Sequence, residues 1–188
     1  MCRQAPSVRA VLDQATALWP NRRRGAGSSD GICASPRHTS ANPGSDHEPR
    51  VNGYATAVDL TDDKRSGCDA DAWAEHLRIT RDPRVKYVIC NRRMFSSYAT
   101  SRRRAWEWGA YTGSNPHESH THLSILPNAL FDTSPWFPSK DDDDMTPEQA
   151  DKLNATHLLA TAALQAVERI EKKVDALAKD VAGHRQAG

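Results

Sequence analysis

Two short segments about sixty residues apart each join strand-like alternation to metal-binding side chains, and they constrain this chain more than any other feature. The first is Ser45-Asp46-His47 followed by the run Tyr54 to Leu60, which contains Asp59. The second is His117-Glu118-Ser119-His120-Thr121-His122-Leu123-Ser124-Ile125. Side chains alternate across a strand. In the first run this sets Ala55, Ala57 and Asp59 on one face and Val58 and Leu60 on the other. In the second, His120, His122 and Ser124 share a face opposite Thr121, Leu123 and Ile125. Each strand therefore has an apolar face for a core and a small or polar face, the pattern of a sheet that floors a site. Two imidazoles and a carboxylate are the ligand chemistry of a catalytic zinc that keeps one coordination position open. Blander readings exist for the single residues. An isolated Asp near a strand end is usually a turn or capping residue, and a His cluster can be an accidental metal-sticky patch. Three histidines within six residues weigh toward ligands.

The rest of the chain predicts an α+β domain. Val8, Val11, Leu12, Ala15 and Leu18 form one helical face over residues 7–19, stopped by Pro20. Residues 20–50 are rich in Gly, Ser, Pro and Arg and read as a long functional loop ending near His47. Asp69 is placed to cap a helix running to about residue 80, with Trp73, Ala74 and Leu77 inward. Val85 to Cys90 is a strand by its β-branched and aromatic content. The pattern predicts a small, mostly antiparallel sheet with flanking helices over residues 1–127. A Pro- and Asp-rich linker follows over 128–145. Thr146-Pro147-Glu148-Gln149 then starts a long helix to about residue 183. In it Val167, Ile170, Val174, Leu177 and Val181 step as a heptad seam, which reads as a short coiled coil forming a homo-oligomer, with an amphipathic helix packed on its own domain as the alternative.

Net charge is +1, which argues against a whole-chain nucleic-acid partner. The runs Arg22–Arg24 and Arg102–Arg104 read as solvated surface. Mean hydropathy is −0.72 and no segment is long and apolar enough to span a bilayer. The N-terminus carries no stretch of signal-peptide character, so a product made in a cytoplasm is expected. Cys2, Cys33, Cys68 and Cys90 form no CxxC pair, which argues against a cysteine zinc site. Buried free thiols are the default for so few cysteines; one disulfide is the alternative, and spacing does not assign it.

Several stretches carry a family resemblance. They are Ser28 to Cys33, Ser45 to Pro49, Ala57 to Thr61, Asp82 to Ile89, Asn91 to Arg93, and Tyr111 to His117 continuing to His122–Ile125. Over roughly residues 5–126 the chain resembles the D-alanyl-D-alanine carboxypeptidase-like zinc peptidases of the Hedgehog/DD-peptidase fold, in the branch found in actinobacteria and their phage endolysins. The resemblance implies one zinc ion per chain held by His47, Asp59 and His122, with His120 supporting the site and stabilising the transition state. It implies a Glu base shortly before the final His, for which Glu118 is the nearest carboxylate. His47 and Asp59 lie twelve residues apart, against about seven in the best-known members, so this branch carries a longer loop. Arg37 is the candidate anchor for a substrate carboxylate or carbonyl. Trp108 and Tyr111, near Trp106, are candidates for a substrate wall.

The expected activity is a zinc metallopeptidase that hydrolyses an amide bond of peptidoglycan, in the stem peptide or cross-bridge, as a phage or prophage endolysin. It would be made in the host cytoplasm and act at the cell wall after release. Two rivals stay open: a non-catalytic zinc-containing phage structural or wall-binding protein, and a D,D-carboxypeptidase.

Overall fold

A computed structural model of the chain describes residues 2–35, 40, 43–138 and 170. The chain divides into a compact unit, Met1–Phe137, and a second unit, Pro138–Gly188. The predicted coiled-coil helix at 146–183 lies outside the described residues apart from Ile170, as do residues 139–145 of the predicted linker.

The compact unit is α+β. Strand β1 (Arg3–Gln4) leads into helix α1 (Pro6–Leu18), and β2 (Tyr54–Ala55) and β3 (Ala57–Thr61) follow the long loop. Helix α2 (Ala70–Thr80), β4 (Val85–Cys90), β5 (Arg93–Ser96), β6 (Gly109–Ala110) and β7 (His120–Ile125) complete it. The main sheet has the order β3-β7-β4-β5-β6, antiparallel throughout. β1 and β2 form a separate parallel pair.

Local chemistry explains these elements. α1 starts with Pro6 at its first turn, where a missing N–H costs nothing, and buries Val8, Val11 and Ala15. α2 is capped as its sequence predicts: the Asp69 carboxylate accepts from the Ala72 N–H at 2.9 Å, and Ala70, Trp73, Ala74 and Leu77 face inward. β4 and β5 are joined by the two-residue turn Asn91–Arg92, with both φ values positive (45° and 61°), the left-handed geometry that matches strand twist in a tight hairpin.

One face of the sheet packs against both helices. Val58, Leu60, Val88, Cys90, Phe95, Leu123 and Ile125 meet Val8, Val11, Trp73 and Leu77 in a single buried cluster. The opposite face carries Asp59, His120 and His122. Helices therefore cover the apolar side alone and leave the polar side open to a ligand.

Four expectations are corrected. The run Tyr54–Leu60 is two strands in two sheets, divided at Thr56, whose N–H donates to the Asp46 carbonyl and whose carbonyl accepts from Ile125. Ala55 accordingly joins the hydrophobic core and does not share the face of Asp59. The domain boundary moves from 127 to 137, because Ala129, Leu130, Trp136 and Phe137 are buried in the same core. The Trp136 indole N–H donates to the Ser7 carbonyl at 2.9 Å, the Trp73 indole donates to the Trp136 carbonyl at 2.8 Å, and the Arg84 guanidinium lies 3.5 Å over the Trp136 ring. Arg22 is not solvated surface: it is buried and paired with Asp30 at 2.7 Å. Finally, the cysteines are not all free. Cys2 and Cys33 form a disulfide, while Cys68 and Cys90 are buried thiols, each pushed up to about 11 by burial.

Candidate metal centre

Register builds the site. β3 and β7 pair antiparallel with Asp59 opposite His122 and Thr61 opposite His120, so the carboxylate and both imidazoles emerge from one face of adjacent strands. His47 arrives from the loop. The Ser45 hydroxyl accepts its backbone N–H at 3.3 Å, the Ala34 N–H donates to its carbonyl at 3.0 Å, and the neighbouring Asp46 carboxylate is held by Lys86 at 2.7 Å. The His47 ring also bonds the Ile32 carbonyl at 2.8 Å through Nδ1. A carbonyl only accepts, so Nδ1 carries the proton and Nε2 presents its lone pair to the site.

Three atoms then converge. His47 Nε2 lies 3.1 Å from His122 Nδ1 and 3.3 Å from Asp59 Oδ1, and His122 Nδ1 lies 3.0 Å from that same oxygen. Electron-rich atoms this close repel unless a proton or a cation lies among them. Zinc–nitrogen and zinc–oxygen bonds of about 2.0–2.1 Å in a tetrahedron place ligand atoms about 3.3–3.4 Å apart. The spacing of this triad is within a few tenths of an ångström of that, so His47, Asp59 and His122 fit a single small divalent ion. The other nitrogen of His122 is held by the Ser124 hydroxyl at 3.0 Å, and the ring stacks on Tyr87 at 5.4 Å between centroids. Such outer partners fix ring orientation before any metal arrives.

Electrostatics favour the same occupant. Burial alone would raise the Asp59 carboxyl, but the close His122 and His47 rings outweigh it and hold the group below the usual carboxylate range. Burial alone would lower His47, yet the hydrogen bond and charge of Asp59 leave it raised. His120 is lowered, first by burial and then, against the pull of Asp59, by the neighbouring imidazoles. His117 is lowered to about 4, by burial and then by the charges His122 and His120 would carry.

The triad lies on the wall of an open cavity of about 280 Å³. Ser29, Ser45, Tyr87, Tyr111, Asn115, His117 and His120 line it with the triad. His120 Nε2 is 3.9 Å from Asp59 Oδ1, beside the triad. Tyr111 lines the cavity. Trp108 does not: its indole donates to Glu75 at 2.6 Å, its ring packs edge-on against Phe95, and it borders an adjoining cavity with Arg102 and Arg103. Arg37 lies outside the described residues. Glu118 is half exposed and paired with Arg92 at 2.7 Å, and it is not among the residues lining the cavity.

His117, counted with the clustered histidines in the sequence but given no role of its own, also lines the site. Its ring lies 4.8 Å from that of His120 and 5.7 Å from that of His122, and its Nδ1 bonds the Asn115 carbonyl at 2.7 Å. Its φ of 54° turns the chain sharply before β7, and its carbonyl accepts from Asn91 at 2.8 Å, which ties the loop to the β4–β5 turn. Strand alternation says nothing about a residue upstream of the strand, so only the His-rich composition of 117–122 signalled it. No protein-family model, curated protein or solved structure matches the chain.

Proposed function

We propose that the Met1–Phe137 unit is a zinc-dependent hydrolase of peptidoglycan amide bonds, acting in the stem peptide or cross-bridge in the manner of a phage endolysin. The observation that carries this reading is the triad: three ligand atoms 3.0–3.3 Å apart on the wall of an open cavity. Three protein ligands leave a zinc ion one open position, the arrangement of catalytic rather than structural sites. When bound, zinc supplies Lewis acidity, polarising a carbonyl oxygen and lowering the pKa of water toward about 7.

The chain's own residues divide the remaining work. His120, beside Asp59, faces the place where charge develops on the reacting carbonyl and donates to it. Tyr111 and Asn115 border the space a peptide would occupy. With Glu118 engaged by Arg92 outside the cavity, the imidazole of His117, lowered to about 4 and therefore neutral at pH 7, is the cavity group we assign to accept a proton transiently and pass it on to a leaving amine.

One observation favours a second reading. Among the described residues lining the cavity, Asp59 is the one carboxylate, and it belongs to the triad. A site without a free carboxylate base suits a non-catalytic, zinc-containing wall-binding protein. Purified peptidoglycan separates the two. Release of new amino termini, abolished by a chelator, restored by zinc and lost in His122→Ala, supports the hydrolase. Glu118→Ala is expected to leave activity within about twofold, since its carboxylate is paired with Arg92 and does not line the cavity, while His117→Ala loses activity. Wall binding without new termini at full zinc loading sinks the hydrolase and leaves the second reading. Release of terminal D-Ala alone, read by mass, would mark a D,D-carboxypeptidase.

A further inference from the structure

The segment Ser29–Ala34 touches two of the three triad residues. The Gly31 N–H donates to the Asp59 carbonyl at 3.1 Å, and the Asp59 N–H donates to the Gly31 carbonyl at 2.7 Å, an antiparallel bridge on the outer edge of β3. The Ile32 carbonyl accepts from His47 Nδ1, and the Ala34 N–H donates to the His47 carbonyl. Upstream, the Ser29 N–H donates to the Thr61 hydroxyl and the Asp30 carboxylate accepts the Thr61 N–H at 3.0 Å. One short stretch of backbone thus sets both the tautomer of His47 and the seat of Asp59.

Cys33 lies inside that stretch and is joined to Cys2. Cys2 is itself anchored. The next residues, Arg3 and Gln4, pair with Tyr54 and Ala55, the Ala5 N–H donates to the Ala55 carbonyl, and α1 follows directly into the core. β2 leads through Thr56 into β3, which carries Asp59. The disulfide therefore ties the Ile32 carbonyl to the core by a route that does not pass through the metal ligands. Without it, residues 32–34 keep the burial of the Ile32 side chain, the Gly31–Asp59 bridge just upstream and their contacts with His47, but lose the covalent tie at Cys33, next to the Ile32 carbonyl that holds the His47 ring.

We propose that the Cys2–Cys33 disulfide is a positioning element of the metal centre, so that metal affinity is coupled to the oxidation of this pair. The chemistry balances as two electrons and two protons from a dithiol reductant. The sulfur–sulfur bond breaks, two thiols form, and the reductant becomes a disulfide. Disulfides open in reducing compartments and persist in oxidising ones, so the centre is preorganised only after the chain meets an oxidising environment. A bond that merely stabilised the fold would leave the zinc affinity of folded protein unchanged; a positioning bond does not.

The test is zinc affinity, measured by competition with a chromophoric chelator on folded protein in three forms: oxidised, reduced, and the Cys2→Ser/Cys33→Ser double variant. The double variant excludes zinc capture by the freed thiols. Reduced protein and double variant are expected to bind about tenfold or more weakly, the range that loss of an outer-shell orienting contact produces, with unchanged far-UV circular dichroism. Linkage then requires the reverse effect on the native chain. Saturating zinc shifts the reduction midpoint of Cys2–Cys33 about 30 mV more negative for each tenfold of coupling. This second arm decides the matter even if the double variant fails to fold. Equal affinities within twofold and an unmoved midpoint overturn the proposal. It rests on the metal site and not on the peptidase reading: absence of zinc binding in every form removes the site itself, whereas equal binding removes only the coupling.

Discussion

Trp136→Ala tests whether the strap after β7 belongs to the domain. Trp136 is 1% exposed and sits in the cluster that joins α1 and α2 to the sheet. Its indole N–H donates to the Ser7 carbonyl, and its face carries the Arg84 guanidinium. A buried Trp removes about 200 Å² from water. At about 25 cal/mol per Å² that is an upper bound of about 5 kcal/mol, and measured Trp→Ala truncations in cores cost about 3–5 kcal/mol. Against a total stability of about 5–15 kcal/mol for a domain, the variant is expected to be near its unfolding limit. Trp136→Phe retains most of the apolar contact but loses the indole hydrogen bond to Ser7, whose carbonyl keeps its partner within the helix, a loss of about 0.5–1.5 kcal/mol. Urea unfolding followed by circular dichroism reads both, and the order wild type, then Phe, then Ala is the expected result. A loss below about 1 kcal/mol for Trp136→Ala would mean that the domain ends before residue 130 and that this packing argument is wrong.

Two further outcomes follow from the site. Ser124→Ala frees the second nitrogen of His122 and is expected to weaken zinc binding about tenfold with little effect on stability, measured by chelator competition; unchanged affinity would show that Tyr87 stacking alone orients the ring. The metal-free protein should be most stable near pH 6.5. His117 and His120 have lowered folded pKa values, so the unfolded chain binds more protons below about 6.5, and stability falls as pH drops toward about 4, by at most about 1.4 kcal/mol per pH unit for each proton. His47 is raised, so its contribution is present below about 6.5 and is lost as pH rises through its folded value. Urea midpoints across pH in the presence of a chelator check both limbs, and His117→Asn should flatten the acid one.

Much of the domain was legible because short-range rules are local. The cap at Asp69, the inward face Trp73-Ala74-Leu77 and the strand Val85–Cys90 depend on residues within one or two turns of each other, and they stand where the sequence put them. The shared face of His120, His122 and Ser124 follows from the period of two, which no tertiary contact can alter without slipping the strand. The pairing of Asp59 with His122 was expected from motif order and resemblance, and the register that makes it is a tertiary fact.

Other features were decided only by distant partners. Periodicity could not see that Thr56 leaves one sheet for another, because its hydrogen bonds go to Asp46 and Ile125. The Pro-rich stretch after residue 127 reads as linker until Ser7, Gln14 and Arg84 supply partners for Trp136 and its neighbours. Glu118 is four residues from His122, yet the turn at His117 swings it out to Arg92 and puts His117 into the cavity instead. Cysteine spacing was silent on which thiols meet, because Cys2 and Cys33 are brought together by β1 pairing with β2 and by Gly31 pairing with Asp59. The sequence alone determined that His120, His122 and Ser124 share one strand face, since alternation is a property of the backbone. Which side chains stand 3 Å apart was left to long-range pairing, which joins residues that no local rule connects.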